Sequence, residues 1–436
     1  DEDASDPQIP LLIWWALESK AIDHREQILQ LFAAPAFWQK AIARRFIIGR
    51  LARRYAAEDS EDGFAACARL LAQAPGSAET ELLMKGIEQA LSGRRLEKIP
   101  SALEPWFSKV WPRDAPNLAL IRLGLRLGSD QALEPAFKLV VDPTKPESDR
   151  IALIEILGQI NQPRCVPVLL AILEQHGTPK LQTATLAALQ RFSEPEVASA
   201  ILRSYTTLST EARNRARNVL ASRPTWALEL VKTVEAGRVD AKDFSFDQLR
   251  QMALHKNVEL DQLIQKRWGR IQSGSGEEKR SYINELKLVI NPSGVAGRPR
   301  QGSAPEGKKV FQQVCGVCHT LFGEGNQIGP ELTGADRKNL EFMLVHIVNP
   351  SAYIRPEYVS YEVVTRDGQA VSGLMVESTP RSATILDRNN QRTVFARDQI
   401  KELTESKVSL MPEGLLEALR PEQIIDLFAY LQSDNP

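Results

Sequence analysis

Apolar residues recur at helical spacing through most of the first 290 residues of the chain. Segments of roughly 10–16 residues carry apolar positions at i, i+3, i+4 and i+7, and short breaks rich in Pro, Gly, Ser or Asp separate them. Residues 150–160 and 163–175, joined by Asn161 and Gln162, are two such segments. Because strand-like alternation is nearly missing here, the pattern predicts pairs of amphipathic helices.

A weak self-similarity with a shift of 32 residues runs through this helical region. When residues 156–163 are placed against residues 188–195, the leucines and the prolines coincide. Helix–turn–helix units of about this length are typical of an α-solenoid, in which each pair buries its apolar stripe against the next. The sequence pattern of these units is HEAT-like, since the Trp/Gly/Tyr pattern of tetratricopeptide repeats is missing. We therefore predict a HEAT-like helical-repeat domain over residues 1–290.

The pattern changes after residues 291–303, a basic stretch rich in Gly, Pro and Ser that has the composition of a linker. Residues 304–436 begin and end with helical periodicity, and residues 356–403 between these ends alternate with a period of two. Turn sequences at Asp367-Gly368 and Asn389-Asn390 divide the alternating part into about four or five strands. The prediction is a mainly α chain whose last domain, 304–436, carries a small antiparallel β insertion.

Cys315, Cys318 and His319 form a C-x-x-C-H motif in this last domain. On one helical turn these residues face the same way, so two thiols can add to the vinyl groups of one porphyrin while the imidazole reaches its iron. The motif therefore predicts covalent attachment of one haem c per chain.

Two other types of site use similar residues. The predicted helix over residues 305–318 ends at the motif, whereas a thioredoxin-like dithiol needs a strand before it and a helix N-terminus beneath it. A structural zinc site needs four ligands, and this domain has no second cysteine pair. Haem is favoured, with zinc and dithiol chemistry as the alternatives.

The axial ligands follow from the same domain. His319 is the predicted first ligand, and the second could come from Met343, His346, Met375 or Met411. Met343 and His346 lie on an apolar helical pattern and Met375 lies in a strand pattern, so packing is their simpler role. Met411 lies in a non-helical turn that the following proline stiffens. We predict Met411 as the second iron ligand, with His346 or an open position as alternatives.

The tautomer of His319 is also predictable. Residues 328–332 should pack under the imidazole, and we expect the backbone carbonyl of Pro330 to accept the Nδ1–H of His319 and so fix its tautomer. A plain turn without this contact is the alternative.

With these residues in view, residues 304–436 resemble the haem-binding domain of the Pirellula/Verrucomicrobium type, a branch of the c-type cytochromes. Besides the β insertion, the matching elements are Gly307-x-x-x-Phe311-x-x-x-Cys315-x-x-Cys318-His319, Gly329-Pro330-x-Leu332, Asn349-Pro350-Ser351, Ser409-Leu410-Met411-Pro412 and Tyr430-Leu431. The resemblance implies that such a domain ends a longer chain, after a sugar-dehydrogenase-like β-propeller and HEAT-like repeats. Residues 7–18 are similar to the segment between propeller and repeats, so the resemblance implies a dehydrogenase domain outside this sequence.

Composition and charge narrow the remaining possibilities. The chain is 43% hydrophobic and 25% charged, which is typical of a soluble globular protein, and it has no apolar run of membrane-spanning length. The formal net charge of −1 gives no reason to expect nucleic acid. Residues 304–436 hold 13 Lys+Arg against 18 Asp+Glu, which favours a basic partner surface. Cys67 and Cys165, within helical patterns, are expected to be buried thiols rather than a disulfide.

The chain begins with Asp1 and shows no signal peptide, so we interpret it as a fragment whose targeting sequence is missing. We expect a periplasmic or other extracytoplasmic location.

Together these patterns predict a monohaem cytochrome that passes single electrons between redox partners and is not by itself a complete enzyme. One alternative is a haem-based sensor or peroxidase with a labile Met411. The other is a protein-binding scaffold in which the haem is structural.

Overall fold

The computed structural model describes residues 2–111, 117–175, 177–268, 276–291 and 302–434. Contacts divide the chain into two compact units, Asp1–Arg215 and Ala216–Pro436. Helices hold 58% of the residues and the strands form small antiparallel sheets, which confirms a mainly α chain with antiparallel β-structure. Most of the predicted linker at 291–303 lies outside the described residues.

The first unit is built from short helices. In order they are α1 (Ile9–Glu18), α2 (Arg25–Leu31), α3 (Pro35–Trp38), α4 (Ile48–Ala56), α5 (Glu61–Gln73), α6 (Ser77–Ala90), α7 (Glu104–Val110), α8 (Leu118–Leu127), α9 (Leu133–Val141), α10 (Glu147–Ile160), α11 (Cys165–Glu174), α12 (Pro179–Leu189) and α13 (Pro195–Ser204). A π-helix (Ala43–Ile47) leads into α4, and there are 3-10 helices at Glu2–Ser5, Asp130–Ala132 and Tyr205–Thr207. The division between the units falls within α14 (Thr210–Ala221).

Alternate helices of the first unit pack side by side, α4 on α6, α6 on α8, α8 on α10 and α10 on α12. The first of these contacts is very close, because a Cβ on Gly86 would lie 2.1 Å from the backbone oxygen of Gly49. Polar groups also join these helices. The Arg126 guanidinium donates to the carbonyl of Arg94, 32 residues earlier, over 3.2 Å, and Leu96 N–H donates to the carbonyl of Arg126 over 2.8 Å. The segment after α6 is therefore hydrogen-bonded to the end of α8.

The second unit contains the remaining helices and all the described strands. Its helices are α15 (Pro224–Glu235), α16 (Phe246–Ala253), α17 (Val258–Trp268), α18 (Gly276–Ile290), α19 (Ala304–Val314), α20 (Leu340–Val348) and α21 (Pro421–Leu431), with 3-10 helices at Ala241–Asp243 and Pro356–Tyr358. Its strands are β1 (Thr320–Leu321), β2 (Glu324–Gly325), β3 (Ser360–Thr365), β4 (Ala370–Ser378), β5 (Ser382–Leu386), β6 (Arg392–Ala396) and β7 (Ile400–Glu405).

α19 and α21 cross at a contact that only glycine permits. A Cβ on Gly307 would lie 1.9 Å from the backbone oxygen of Asp426 and 2.8 Å from Cβ of Tyr430. The Phe311 and Tyr430 rings meet beside this crossing, 5.4 Å apart. Ser303, the N-cap of α19, donates its backbone N–H to the Asp426 carboxylate over 2.9 Å. These contacts hold the first and last helices of the C-terminal region together.

α18 contributes to the same core as these two helices. Its Ile283 and Leu286 are buried in one apolar cluster with Phe311 of α19, Leu344 of α20 and Leu427 of α21. The predicted domain boundaries at 290 and 304 remain predictions. The apolar packing shows that a helix before residue 291 completes the core on which the later helices rest.

β1 and β2 form a two-stranded antiparallel sheet. The other sheet is five-stranded and antiparallel, in the order β6-β5-β4-β3-β7. The buried Arg223 binds the β3–β4 turn of this sheet. It donates to the backbone oxygen of Asp367 over 2.9 Å and pairs with the Asp367 carboxylate at 3.0 Å. Ala370 N–H donates to the carbonyl of Ser222 over 2.8 Å, and the amide of Gln251 donates to the carbonyl of Ala370 over 3.0 Å. The sheet is therefore attached at this turn to the helices around α15.

The predicted elements can be compared with these bounds. The helix expected over residues 150–160 is α10, and the alternation over residues 356–403 is the five-stranded sheet. The helix expected over residues 305–318 ends earlier, at Val314, so its predicted end is wrong. The cause is local, because the N–H groups of Cys315 and Gly316 both donate to the carbonyl of Phe311, over 2.8 and 2.7 Å. These two hydrogen bonds to one carbonyl end the helix.

None of the four cysteines forms a disulfide, and Cys67 and Cys165 are buried. Burial raises the pKa of the Cys165 thiol to about 12 and raises that of Cys67 further. The alternative of a disulfide between them is therefore wrong. Within the described part of the chain, no helix combines the length and the apolar composition needed to cross a lipid bilayer.

The crossing of α19 and α21 gives a first prediction. Gly307→Ala should lower the free energy of unfolding by about 2 kcal/mol or more, because the new methyl group meets backbone rather than a movable side chain. Urea unfolding monitored by circular dichroism measures the difference. Gly276→Ala at the start of α18 is the control, since its Cβ would meet only Arg280 Nη2 at 3.9 Å. Equal stability of both variants would contradict the close crossing.

Candidate haem site

The C-x-x-C-H motif forms a single turn directly after α19. Cys315 is the C-cap of the helix, and its carbonyl accepts the N–H groups of Cys318 over 3.0 Å and of His319 over 2.8 Å. These bonds have the i+3 and i+4 spacing of one helical turn, so the three side chains project from one side of it. The local geometry therefore presents two thiols and one imidazole together.

The environment of the two thiols keeps them protonated. Burial raises the pKa of the Cys315 thiol to about 12 and also raises that of Cys318, against the opposing effect of the Arg388 guanidinium. The motif follows the C-terminal end of α19, where the helix dipole disfavours an anion. A redox-active dithiol needs a lowered thiol pKa and an electropositive site. The surroundings of Cys315 and Cys318 are the opposite, which argues against dithiol chemistry.

His319 is fixed by a hydrogen bond to the following loop. Its Nδ1 lies 2.8 Å from the carbonyl oxygen of Pro330. Since a carbonyl can only accept, this bond places the proton on Nδ1 and leaves the lone pair on Nε2. Burial lowers the pKa of His319, and the bond to Pro330 opposes that change. A neutral imidazole with a free Nε2 is the form that binds a metal ion.

Two glycines complete this support. A Cβ on Gly329 would lie 2.6 Å from His319 Cε1 and 2.9 Å from its Nδ1, so the backbone at 329 lies flat against the imidazole. Gly325 has φ +111°, and a Cβ there would lie 2.1 Å from the His319 carbonyl oxygen. The sequence predicts that residues 328–332 pack under the imidazole, but it does not show why positions 325 and 329 must be glycine.

The loop after the motif is folded back onto it by backbone bonds. The carbonyl of Cys318 accepts the N–H groups of Ile328 and Gly329 over 3.0 and 2.8 Å. The carbonyl of Gly316 accepts the N–H of Asn326 over 3.0 Å. The segment that carries the Pro330 carbonyl is thus bonded to the same turn that carries His319.

Phe322, at the tip of the β1–β2 hairpin, has a positive φ of 53°. Its ring is held between the guanidinium of Arg337, 4.8 Å away, and the ring of Tyr430, 6.0 Å away. Arg337 also donates to the carbonyls of Leu431 and Ser433, at the C-terminal end of α21, over 2.5 and 2.8 Å. These contacts offset the cost of about 1–2 kcal/mol expected for a side chain in the left-handed region.

Two strands of the five-stranded sheet also contribute to the surroundings of the C-x-x-C-H motif. Cys318 and Leu410 each pack against a small apolar cluster of Ile328, Leu374 of β4 and Leu386 of β5. Leu410 precedes Met411, so the methionine loop touches the cluster that also contacts the second cysteine. A sheet inserted between His319 and Met411 in sequence therefore forms part of the wall of the site.

The Met411 loop is non-helical, and it is tied at several points. Met411 N–H donates to Ser409 Oγ over 3.1 Å, and Ser409 N–H donates to Ser351 Oγ over 3.1 Å. Just before it, the carbonyl of Val408 accepts the hydroxyl of Ser360 over 2.9 Å. The loop is therefore held to the end of α20 and to the start of β3.

The other candidate ligands have different surroundings. Met343 is buried in the helical core with α18, α19 and α21, and Met375 packs against the core of the five-stranded sheet. Nδ1 of His346 lies 2.8 Å from the carbonyl of Phe342, and its ring is 4.2 Å from that of Phe342. Across the described ranges, no three or more His, Cys, Asp or Glu side chains converge as a metal-binding group.

Comparisons with known proteins point to the same region. The sequence profile of the cytochrome c family matches residues 304–357. Cytochrome c from Arabidopsis thaliana is 54% identical over 41 residues, which are 9% of this chain and 37% of that protein. Cytochrome c from Cochliobolus lunatus is 57% identical over 35 residues, 8% of this chain and 32% of that protein. The chain thus spans about a third of the length of these curated relatives.

The residues present fit the cofactor of this family. Two thiols and an imidazole with its tautomer fixed by Pro330 are the groups that covalent attachment and iron ligation require. Residues 304–357 therefore belong to a cytochrome c domain, and the cofactor of this domain is covalently bound haem c.

Proposed function

We propose that the chain is an electron-transfer module with one haem c, held by Cys315 and Cys318 and ligated by His319 and Met411. The observation that carries this proposal is the 2.8 Å hydrogen bond from His319 Nδ1 to the Pro330 carbonyl, next to two protonated thiols. A merely structural histidine does not need one nitrogen bonded and the other left unprotonated beside a C-x-x-C pair.

The residues around the cofactor have separate tasks in this proposal. The haem supplies one-electron redox chemistry. Pro330 holds the proton on His319 Nδ1 and makes the imidazole a better donor. Gly329 lets the backbone approach the ring closely enough to fix its orientation. The wall formed by Ile328 and the two leucines of the β insertion is apolar, and it excludes water from this side of the motif.

Met411 is proposed as the second axial ligand. Its loop is bonded to Ser351 and Ser360, and its neighbour Leu410 packs against the same apolar cluster as Cys318. The rival methionines are packed in other cores, and His346 is bonded through Nδ1 to its own helix. Thioether ligation raises the reduction potential relative to two histidines, because soft sulfur favours ferrous iron. With both axial positions filled, no position is left for a substrate at the iron.

The helical region is proposed as a scaffold for this module. The packing of alternate helices from α4 to α12, and the hydrogen bond that spans 32 residues, support HEAT-like repeats over residues 1–290. Residues 304–436 are proposed as the haem domain, joined through 291–303 and containing the insertion at 356–403. This order supports the resemblance to the Pirellula/Verrucomicrobium type.

The redox partners of the module follow from that resemblance. We propose that electrons come from a dehydrogenase, either a further domain or a separate protein, and leave to an acceptor with a basic surface. The acidic balance of residues 304–436 favours such an acceptor. The location proposed for the protein is periplasmic or otherwise extracytoplasmic.

Met411→Ala tests the iron ligation. In the oxidised unaltered holoprotein we expect the visible charge-transfer band of a thioether–iron bond, and in the variant its complete loss. The reduced variant should bind carbon monoxide, whereas the unaltered protein should bind little, since its sixth position is filled. Absorption spectra of both redox states measure these changes.

Met375→Ala is the matched control, because this methionine packs in the sheet core and should leave the band unchanged. Retention of the band in Met411→Ala would refute the ligand assignment. Carbon monoxide binding by the unaltered reduced protein would instead favour the sensor or peroxidase function. Haem that extracts into acidified organic solvent would refute covalent attachment to Cys315 and Cys318.

Gly329→Ala tests the support of the imidazole. The new methyl group would lie 2.6 Å from His319 Cε1, so the ring must tilt or the Pro330 carbonyl must move away from Nδ1. We expect stability to fall by about 1–3 kcal/mol, as for an overpacked site, and the low-spin fraction of the haem to decrease in the visible spectrum.

Gly334→Ala is its control, because a Cβ at this nearby loop position meets nothing within 4 Å. Both the unfolding curve and the spectrum of this variant should match those of the unaltered protein. An unchanged spectrum in Gly329→Ala would show that the contact with the imidazole does not govern its ligation.

A further inference from the structure

Lys279 makes a partly buried ion pair with Glu413 of the Met411 loop. Its Nζ lies 2.9 Å from Glu413 Oε1 and 2.9 Å from Asn349 Oδ1. Only 14% of the lysine side chain and 16% of the glutamate side chain are exposed. Lys279 belongs to α18, which precedes the segment matched by the cytochrome c family.

The two acceptors of Lys279 belong to the two segments that support Met411. Glu413 lies two residues after the methionine on the same loop. Asn349 follows α20 and lies two residues before Ser351, whose Oγ accepts the N–H of Ser409 over 3.1 Å. One ammonium group therefore binds both sides of the loop's attachment.

Physical chemistry makes this pair sensitive to the loss of one partner. An ion pair that is mostly buried adds little net stability, because desolvation offsets the attraction, but removing one partner leaves the other charge buried and uncompensated. Without Lys279, a shift of the loop toward solvent would increase the hydration of the Glu413 carboxylate, whose side chain is only 16% exposed. Such a shift moves the backbone two residues from Met411.

From this geometry we infer that Lys279 is a positioning residue for the Met411 ligand, so that α18 of the helical region controls the closure of the iron site. The inference rests on the proposed ligation by Met411 and deepens it. It predicts that the Met411 loop moves away from the iron site when Lys279 is replaced by an uncharged residue. Lys279 itself is not placed at the iron.

The test uses Lys279→Met in the complete holoprotein, because this change keeps the aliphatic stem and removes the charge and the donors. The thioether–iron charge-transfer band of the oxidised protein should weaken. Carbon monoxide should bind to the reduced protein about tenfold faster than to the unaltered protein, the change that about 1.4 kcal/mol in the open–closed equilibrium of the loop produces. Stopped-flow absorption measures the rate.

Three further variants separate positioning from general stability. Lys287→Met is the matched control, because Lys287 is also on α18 but pairs with Glu341 of α20, away from the loop. Its spectrum and carbon monoxide rate should be those of the unaltered protein. Lys279→Arg keeps the charge and should retain the band. Glu413→Gln removes the other partner and should accelerate carbon monoxide binding in the same direction as Lys279→Met, even if the latter variant folds poorly.

The outcomes distinguish the two levels of the hypothesis. An unchanged band and rate in both Lys279→Met and Glu413→Gln would overturn the positioning role and leave Met411 ligation intact. Equal effects of Lys279→Met and Lys287→Met would assign the effect to the docking of α18, which also overturns that role. If the unaltered protein itself lacks the thioether band, the proposed ligation fails and the inference fails with it.

Discussion

The hydrogen bond between His319 Nδ1 and the Pro330 carbonyl is the interaction on which the haem site depends. It requires the loop after the motif to turn back, and this return is secured by two backbone bonds to the carbonyl of Cys318. The glycine at 329 is needed because any side chain there would occupy the space of the imidazole. One polar contact thus determines the path of the chain from the motif to Pro330.

The parts of this site that could be predicted are local in sequence. The C-x-x-C-H spacing gives the common orientation of Cys315, Cys318 and His319, because one turn of backbone determines it. Pro330 is close enough in sequence for its carbonyl to be expected under the ring. The predicted end of α19 lies four residues too late. The pattern of apolar residues continues past Val314, but the helical hydrogen bonding ends there, at the two bonds to the Phe311 carbonyl. Periodicity reports which side chains are buried, and it does not report where hydrogen bonding changes.

The parts that could not be predicted depend on contacts between distant segments. The alternation over residues 356–403 gives the strands, but nothing in it shows that Leu374 and Leu386 pack with Cys318. Burial on one face of a sheet is visible in sequence, whereas the identity of the partner surface is not. The ion pair between Arg223 and Asp367 of the β3–β4 turn is equally unpredictable, since the two residues are 144 positions apart. The five-stranded sheet therefore contributes to the apolar surroundings of the C-x-x-C-H motif.

The role of α18 shows why a composition-based boundary and a physical boundary differ. The stretch at 291–303 reads as a linker because Gly, Pro and Ser have little to bury. Packing follows a different criterion. Ile283 and Leu286 fill the core with α19 and α21, and Lys279 of the same helix pairs with Glu413 of the Met411 loop. A haem domain cut at residue 304 would expose that apolar surface and leave Glu413 without its cation. The smallest unit that preserves these contacts therefore includes α18 and begins before Gly276.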